Sequence, residues 1–272
     1  MHLNVRHITR YTYEPEVAQA ALRLKLFPAR TTAQEIGHWR VSVNGEAVQP
    51  LLTDGLGDQV ALWHGHAAVG EIEILAEGTL ETTDTAGVLG GLQQSARPGV
   101  FLRPTDLTAA EQSLRDLAGA VEVEDPLGRL HALSELVFKA IDYRKGATGA
   151  ATTAAEAAAL GAGVCQDQAH VFIAAARLMD LPARYVVGYL FDADREEPAD
   201  ETHAWAEAHV PGLGWVGFDI TNQLCPTEAY VRLSCGLDAA DAAPVRGVTL
   251  GDVEEDMQTE LAVTQAAGQS QQ

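Results

Sequence analysis

The stretch GVCQDQAHVFIAAARLMDLPARY, residues 163–185, sets a single cysteine just behind Gly161 and Gly163 and at the front of an apolar, alanine-rich run. A helix advances about 100° per residue, so Ala169, Phe172, Ala176 and Met179 share a stripe with Cys165. The stripe is apolar, which predicts a helix packed on a sheet and stopping before Pro182, then a buried strand in ARYVVGYLF, residues 183–191. Cys165 stands at the top of that seam, where the unpaired N–H groups of the first turn gather. Those amides and the helix dipole favour an anion, so a thiol placed there is disposed to exist partly as thiolate. The two glycines let the chain turn sharply into the helix and leave room for a substrate backbone. A free cysteine is commonly a buried small hydrophobe, so a nucleophile also needs a base beside it.

His170 does not qualify, because five residues along a helix carry it roughly 140° around from Cys165. It reads as a packing or hydrogen-bonding histidine at the helix flank. The segment ETHAWAEAHVPGLGWVGFDITN, residues 201–222, offers a better candidate, with two alternating runs flanking PGLG as in a hairpin. His203, Trp205, Glu207 and His209 take odd positions on the first run, as do Trp215, Gly217 and Asp219 on the second. Successive side chains in a strand point to opposite faces, so the even residues form an apolar face and the odd residues a polar one. An odd-length loop, such as Val210 to Gly214, puts both polar sets on one side. Asp219 then lies opposite Trp205 and one diagonal step from His203, within cross-strand reach. Cysteine, histidine and carboxylate form the constellation of nucleophilic catalysis: attacking thiol, proton acceptor and orienting group.

Upstream, TDLTAAEQSLRDLAG predicts a helix capped by Thr105 or Thr108 with Glu111 closing a capping box, and Asp125–Pro126 starts a second helix. The alanines of ATGAATTAAEAAALGAG form a short helix ending at Gly161 or mere compositional drift. Residues 84–104, rich in glycine and proline, read as a connection. The first ~85 residues alternate over short spans such as RHITRYTY, HWRVSV and GEIEIL, with turn signals at Asn44–Gly45 and Asp54–Gly55, and predict a small antiparallel β-sandwich.

Composition narrows the function. The chain has 272 residues, enough for one large or two modest domains with a real core. No apolar run approaches the ~18 residues of a membrane span. The N-terminus lacks the pattern of a signal peptide, so a cytoplasmic location is expected. A net charge of −20 disfavours phosphate backbones and anionic lipid, so neither nucleic acid nor membrane is an expected partner. Cys165, Cys225 and Cys235 are too few and too irregularly spaced for a disulfide framework or zinc site. The acidic residues 192–201 lack the glycine and spacing of a calcium loop, and no phosphate-cradling or dinucleotide fingerprint occurs, so no cofactor or metal is expected.

In GVCQDQAHVFIAAARLMDLPARYVVGYL and THAWAEAHVPGLGWVGFDITN the sequence resembles the bacterial transglutaminase-like family, which has a papain-like core and is described as cysteine proteases. HITRYTYEPEVAQAALRLKLFPA is similar to that family's N-terminal β domain, and GLDAADAAPVRG to its closing segment. The resemblance implies Cys165 as nucleophile, His203 as general base and then acid, and Asp219 as orienting carboxylate. Ile220 stands where the family has proline, which bears on loop geometry and leaves the aspartate in place. The oxyanion of acyl transfer needs preorganised donors, for which the Cys165 N–H and Tyr143 are candidates, the alternative for Tyr143 being a core aromatic. Trp205 either shields the histidine–aspartate pair, lines an acyl groove or simply packs. Glu207 and His209 read as structural or rim residues, and Gln166 and Asp167 as first-turn residues.

The expected architecture is α+β: a β-sandwich-like domain at 1–85, a connection at 86–104, a papain-like/transglutaminase-like catalytic domain at 105–266 and a disordered tail at 267–272. The expected reaction is acyl transfer through a Cys165 thioester, from a peptide or protein amide to water or an amine. A catalytically silent peptide-binding or assembly domain is the alternative. A redox thiol is a third reading, with Cys225 as its resolving partner.

Overall fold

The computed structural model describes residues 1–65, 68–193, 201–250 and 253–266. The expected disordered tail and most of the acidic stretch 192–201 lie outside them.

Two antiparallel sheets build the N-terminal region. The first runs in the order Glu254–Gln265, His2–Val17, Val69–Thr82, Gln34–Val43, Glu46–Val48, and the second in the order Val245–Leu250, Gln19–Phe27, Gln59–His64, Leu52–Thr53. Alternation explains the sandwich: Leu3, Val5, Ile72 and Ile74 share one buried core with Leu22 and Leu24 of the other sheet. Asn44 and Gly45, at φ 48° and 80°, close the hairpin in which Val43 pairs Glu46, as the sequence predicts.

One boundary moves. The two last strands, expected within the catalytic domain, pair along nearly their whole length with His2–Val17 and Gln19–Phe27 and so complete the N-terminal sheets. A strand's edge needs a partner wherever the chain can supply one, and the C-terminal strands occupy the edges that the first 85 residues leave open.

The third large sheet, on which the Cys165 helix packs, is also antiparallel, in the order Tyr230–Gly236, Ala183–Leu190, His203–Val210, Gly214–Phe218, Val88–Leu89. Part of the predicted connection therefore serves as an edge strand. Helices Gln112–Gly119, Pro126–Ala140 and Ala154–Leu160 surround the cysteine helix Cys165–Leu178, which lies on the sheet against His203–Val210. Residues 167–177 of that helix are buried on every face, not along one stripe, because alanine side chains let neighbouring helices close in all round. Arg177 is buried with them, its guanidinium donating to the carbonyls of Phe101, Ala183 and Leu237 and to the Thr108 hydroxyl.

That contact explains a second correction. Thr105 is a cap as the sequence suggests, but of the 3₁₀ turn Asp106–Thr108, whose Thr108 is engaged by Arg177 and by the Thr105 N–H. The α-helix starts only at Gln112, with Glu111 at its N-cap. The second helix starts as the sequence predicts, Asp125 accepting from Gly128 N at 2.7 Å, and the alanine-rich segment forms a helix that ends at left-handed Gly161, its start set by a capping box of Thr153 with Glu156.

Candidate active site

The alanine-rich helix Ala154–Leu160 and the two-residue strand Ala162–Gly163 deliver the chain to Cys165. The Asp167 carboxylate turns back to accept from Val164 N at 2.7 Å and from the Thr148 hydroxyl at 2.6 Å, capping the first turn. A Cβ on Gly163 would lie 2.6 Å from that carboxylate, so only glycine allows the cap to fold over. Cys165 is partly exposed, at the N-terminus of the helix as predicted.

The hairpin has the predicted register. Val210 pairs Gly214, Ala208 pairs Val216 and Ala206 pairs Phe218, which leaves Asp219 facing Trp205 just past the last paired residues. His203 Nε2 and Asp219 Oδ2 are 2.6 Å apart. Cys165 lies close enough to the same imidazole to act on its charge state by hydrogen bonding and by charge. The structure thus brings together all three residues that the sequence singled out.

Asp219 is fully buried and its carboxylate is held from several sides. The Tyr230 hydroxyl donates to Oδ2 at 2.5 Å, Asn222 Nδ2 to Oδ2 at 2.7 Å and Asn222 N to Oδ1 at 3.1 Å. Burial alone would raise its pKa, but the His203 bond and charge, with Tyr230 and Asn222, hold it below the ordinary carboxylate range. Burial likewise favours neutral His203, yet its bonds to Asp219 and Cys165 and their charges push its pKa up to about 10. The loop beyond Asp219 needs no proline: Ile220 is buried in the core, Gln223 Nε2 donates to the Ile220 carbonyl at 2.9 Å, and Asp219 bridges Leu224.

Tyr230 and Asn222 were not found from the sequence. Asn222 had a signal, since an asparagine three residues past an aspartate suits a local turn. Tyr230 had none, because it comes from the far edge of the sheet.

The polar face of the hairpin differs from expectation in being buried. Trp205 is 2% exposed and packs edge-on against Tyr230 with ring centroids 5.6 Å apart, while its own centroid lies 6.2 Å from that of His203. It is a wall behind the histidine and not part of an open groove. Glu207, also buried, binds Arg184 at 2.6 Å and Arg232 at 2.9 Å, which makes it structural. The connection covers this face, Phe101 packing edge-on against Trp215 with ring centroids 4.9 Å apart while Arg184 stacks 3.9 Å above the same ring, and Gln34 of the N-terminal region bonds the Arg232 backbone. His170, expected as a packing or hydrogen-bonding residue at the helix flank, is fully buried and accepts from Ala239 N at 3.0 Å.

Tyr143 stands next to the site in the backbone, paired in parallel with Gly163, and its residue is half exposed, unlike a core aromatic. Cys225 packs against Gly87, and burial together with Asp84 pushes its thiol up. Among the described residues no cluster of three His, Cys, Asp or Glu side chains could hold a metal ion, and no helix is long and apolar enough to cross a membrane.

Comparison with known proteins gives two family matches. Residues 3–81 match the bacterial transglutaminase-like N-terminal region and residues 115–220 the transglutaminase-like superfamily core. An uncharacterized protein of Mycobacterium leprae is 26% identical over 279 residues, covering 97% of this chain and 99% of that one. One from Mycobacterium tuberculosis is 28% identical over 272 residues, covering 90% and 86%. A crystal structure described as a "putative cysteine protease" from Cytophaga hutchinsonii superposes with a TM-score of 0.76 at 23% identity, over 98% of this chain and 92% of that one, and so shares the fold. With both regions in one chain, on that shared fold, the protein belongs to the bacterial transglutaminase-like family.

Proposed function

We propose that the protein is a thiol acyl-transfer enzyme acting on a peptide or protein amide. The observation that carries this reading is the 2.6 Å His203–Asp219 pair with Cys165 within bonding reach of the same imidazole. With Nε2 committed to Asp219, Nδ1 is the nitrogen that takes the thiol proton. A protonated imidazole beside the sulfur stabilises the thiolate, which adds to the amide carbonyl carbon. The oxyanion forms near the Cys165 N–H, with Tyr143 the candidate second donor. Collapse breaks the C–N bond, His203 gives its proton to the leaving amine, and a thioester remains on Cys165. Water or a second amine then attacks the thioester, His203 accepts its proton, and the thiol is restored.

Three free cysteines, one of them fully buried, fit the reducing cytoplasm. A silent binding domain would have no use for a buried carboxylate fixed on a histidine at a partly exposed thiol. A redox role would call for a resolving thiol of thiolate character, and Cys225 is pushed the opposite way.

The test is Cys165 alkylation by iodoacetamide across pH, followed by intact mass and peptide mapping in wild type and His203→Ala. The wild-type rate should stay high well below the ordinary thiol pKa of ~8.5 and fall to ordinary thiol behaviour in the variant. Equal, slow reaction in both would sink the proposal. Incubation with a glutamine-containing peptide, with and without a primary amine, then separates amine transfer from hydrolysis by product mass.

A further inference from the structure

An unbroken line of buried charges runs from the wall of the site into the N-terminal sandwich. Glu207, four residues beyond His203 on the same strand, binds Arg184 on one side and Arg232 on the other. Arg232 Nη1 lies 3.6 Å from Asp58 Oδ1, and Asp58 Oδ2 lies 3.1 Å from Lys25 Nζ, which reaches Asp54 at 2.8 Å. Signs alternate along the whole line. Lys25, Asp58, Arg184, Glu207 and Arg232 are each at most 4% exposed, whereas ion pairs of this kind are ordinarily left in water.

The line crosses between the two parts of the molecule. Asp54, Asp58 and Lys25 belong to the sandwich, and the three others to the sheet that carries His203. Two further contacts lock the crossing. Asp58 Oδ2 also accepts from Cys235 N at 2.9 Å, and Gln34 exchanges two 2.8 Å bonds with the backbone of Arg232. Arg232 follows Tyr230 by two residues on the same strand and the same face. The sandwich therefore grips the strand that carries Tyr230 directly, and reaches the strand that carries His203 through Glu207.

Those strands are not neighbours, since Ala183–Leu190 runs between them. Their two functional side chains nevertheless meet on one atom, Asp219 Oδ2. A small, partly open pocket of about 30 Å³ lies beside Arg232, lined by Gln34, Trp205, Glu207 and Tyr230, so the ion pairs add to packing in setting the spacing. A side chain bordering a void is placed in part by its ionic partners.

We propose that Asp58 and Lys25, although they lie in the N-terminal sandwich, are positioning residues for the His203–Asp219–Tyr230 assembly, acting through Arg232 and Glu207. The inference rests on the acyl-transfer reading of the site. The N-terminal region then sets the reactivity of Cys165 besides contributing bulk to the fold.

The experiment compares wild type, Asp58→Asn and His203→Ala by three measurements: thermal unfolding, the pH profile of Cys165 alkylation, and the downfield imidazole N–H proton resonance. In Asp58→Asn the protein should fold, its alkylation rate near neutral pH should drop by roughly tenfold, as small misplacements of catalytic groups do, and the imidazole proton should shift or broaden. A lowered melting temperature with an unchanged pH profile and an unchanged imidazole proton would overturn the proposal and leave the charges a purely structural tie. Wild-type behaviour in His203→Ala would instead defeat the acyl-transfer reading, and the positioning role with it. Should Asp58→Asn fail to fold, Lys25→Met, which keeps the stem and removes the charge, is expected to shift the profile in the same direction.

Discussion

Asp219 concentrates the chemistry of the site into one buried carboxylate. Oδ2 alone receives His203, Tyr230 and the Asn222 amide, so no single donor fixes its direction. A hydrogen bond to a charged group is worth about 1.5–3 kcal/mol, and much of that is lost when one donor disappears. Tyr230→Phe removes the 2.5 Å bond to Asp219 and the 3.4 Å bond from Asn222 Nδ2 and leaves the ring's packing against Trp205 in place. We expect acyl transfer to fall by roughly tenfold or more while the melting temperature moves little. Steady-state kinetics beside a thermal melt checks this, and an unaltered kcat would show the hydroxyl to be dispensable. Asp219→Asn should be harsher, with a loss of about 10³–10⁴-fold, because an amide no longer enforces the histidine tautomer.

At the scale of the element, the middle strand Ala183–Leu190 matters for what it lacks. A Cβ on Gly188 would lie 2.1 Å from the Val231 carbonyl and 2.6 Å from the Trp205 ring. Glycine there lets the indole lie across the strand, between the strands of His203 and Tyr230. Gly188→Ala should destabilise the protein by about 1–3 kcal/mol through overpacking and should slow the chemistry as well, since the displaced indole is the wall behind His203. Urea denaturation together with Cys165 alkylation gives both numbers. A drop in stability with full reactivity would mean that the indole is only packing. The cysteine helix illustrates the same dependence on small residues, with Gly163 making room for the Asp167 cap and alanines admitting three neighbouring helices.

The whole molecule should respond to pH on both sides of neutrality. Burial lowers His7 and His170 from 6.5 to about 4, and His7 bonds Tyr189 across the junction between the sandwich and the sheet that carries His203. A histidine with a depressed folded pKa contributes stability that is present above about 6.5 and is lost as pH falls toward about 4. His203 is raised from 6.5 to about 10, so its contribution is full below about 6.5 and is lost as pH climbs toward about 10. Urea midpoints against pH should therefore fall along both limbs. His7→Gln should flatten the acid limb and His203→Ala the alkaline one, and limbs unchanged by these substitutions would refute the assignment.

The sequence by itself determined what depends on local order. The helix start at Cys165, the period-two alternation around His203 and Asp219, and the cap at Asp125 are each written within a few residues, where helix and strand geometry alone connects pattern to structure. The family resemblance rested on those same blocks. What only the tertiary structure decided joins residues far apart in the chain. Glu254–Gln265 and Val245–Leu250 complete the sheets of His2–Val17 and Gln19–Phe27, Tyr230 reaches Asp219 from an edge strand of its sheet, and Asp58 pairs with Arg232 from far away in the chain. The face read as polar on the hairpin is buried because distant segments cover it. No local period encodes such meetings: alternation says which side of a strand a side chain takes, and only the packing of one sheet on another says what waits there.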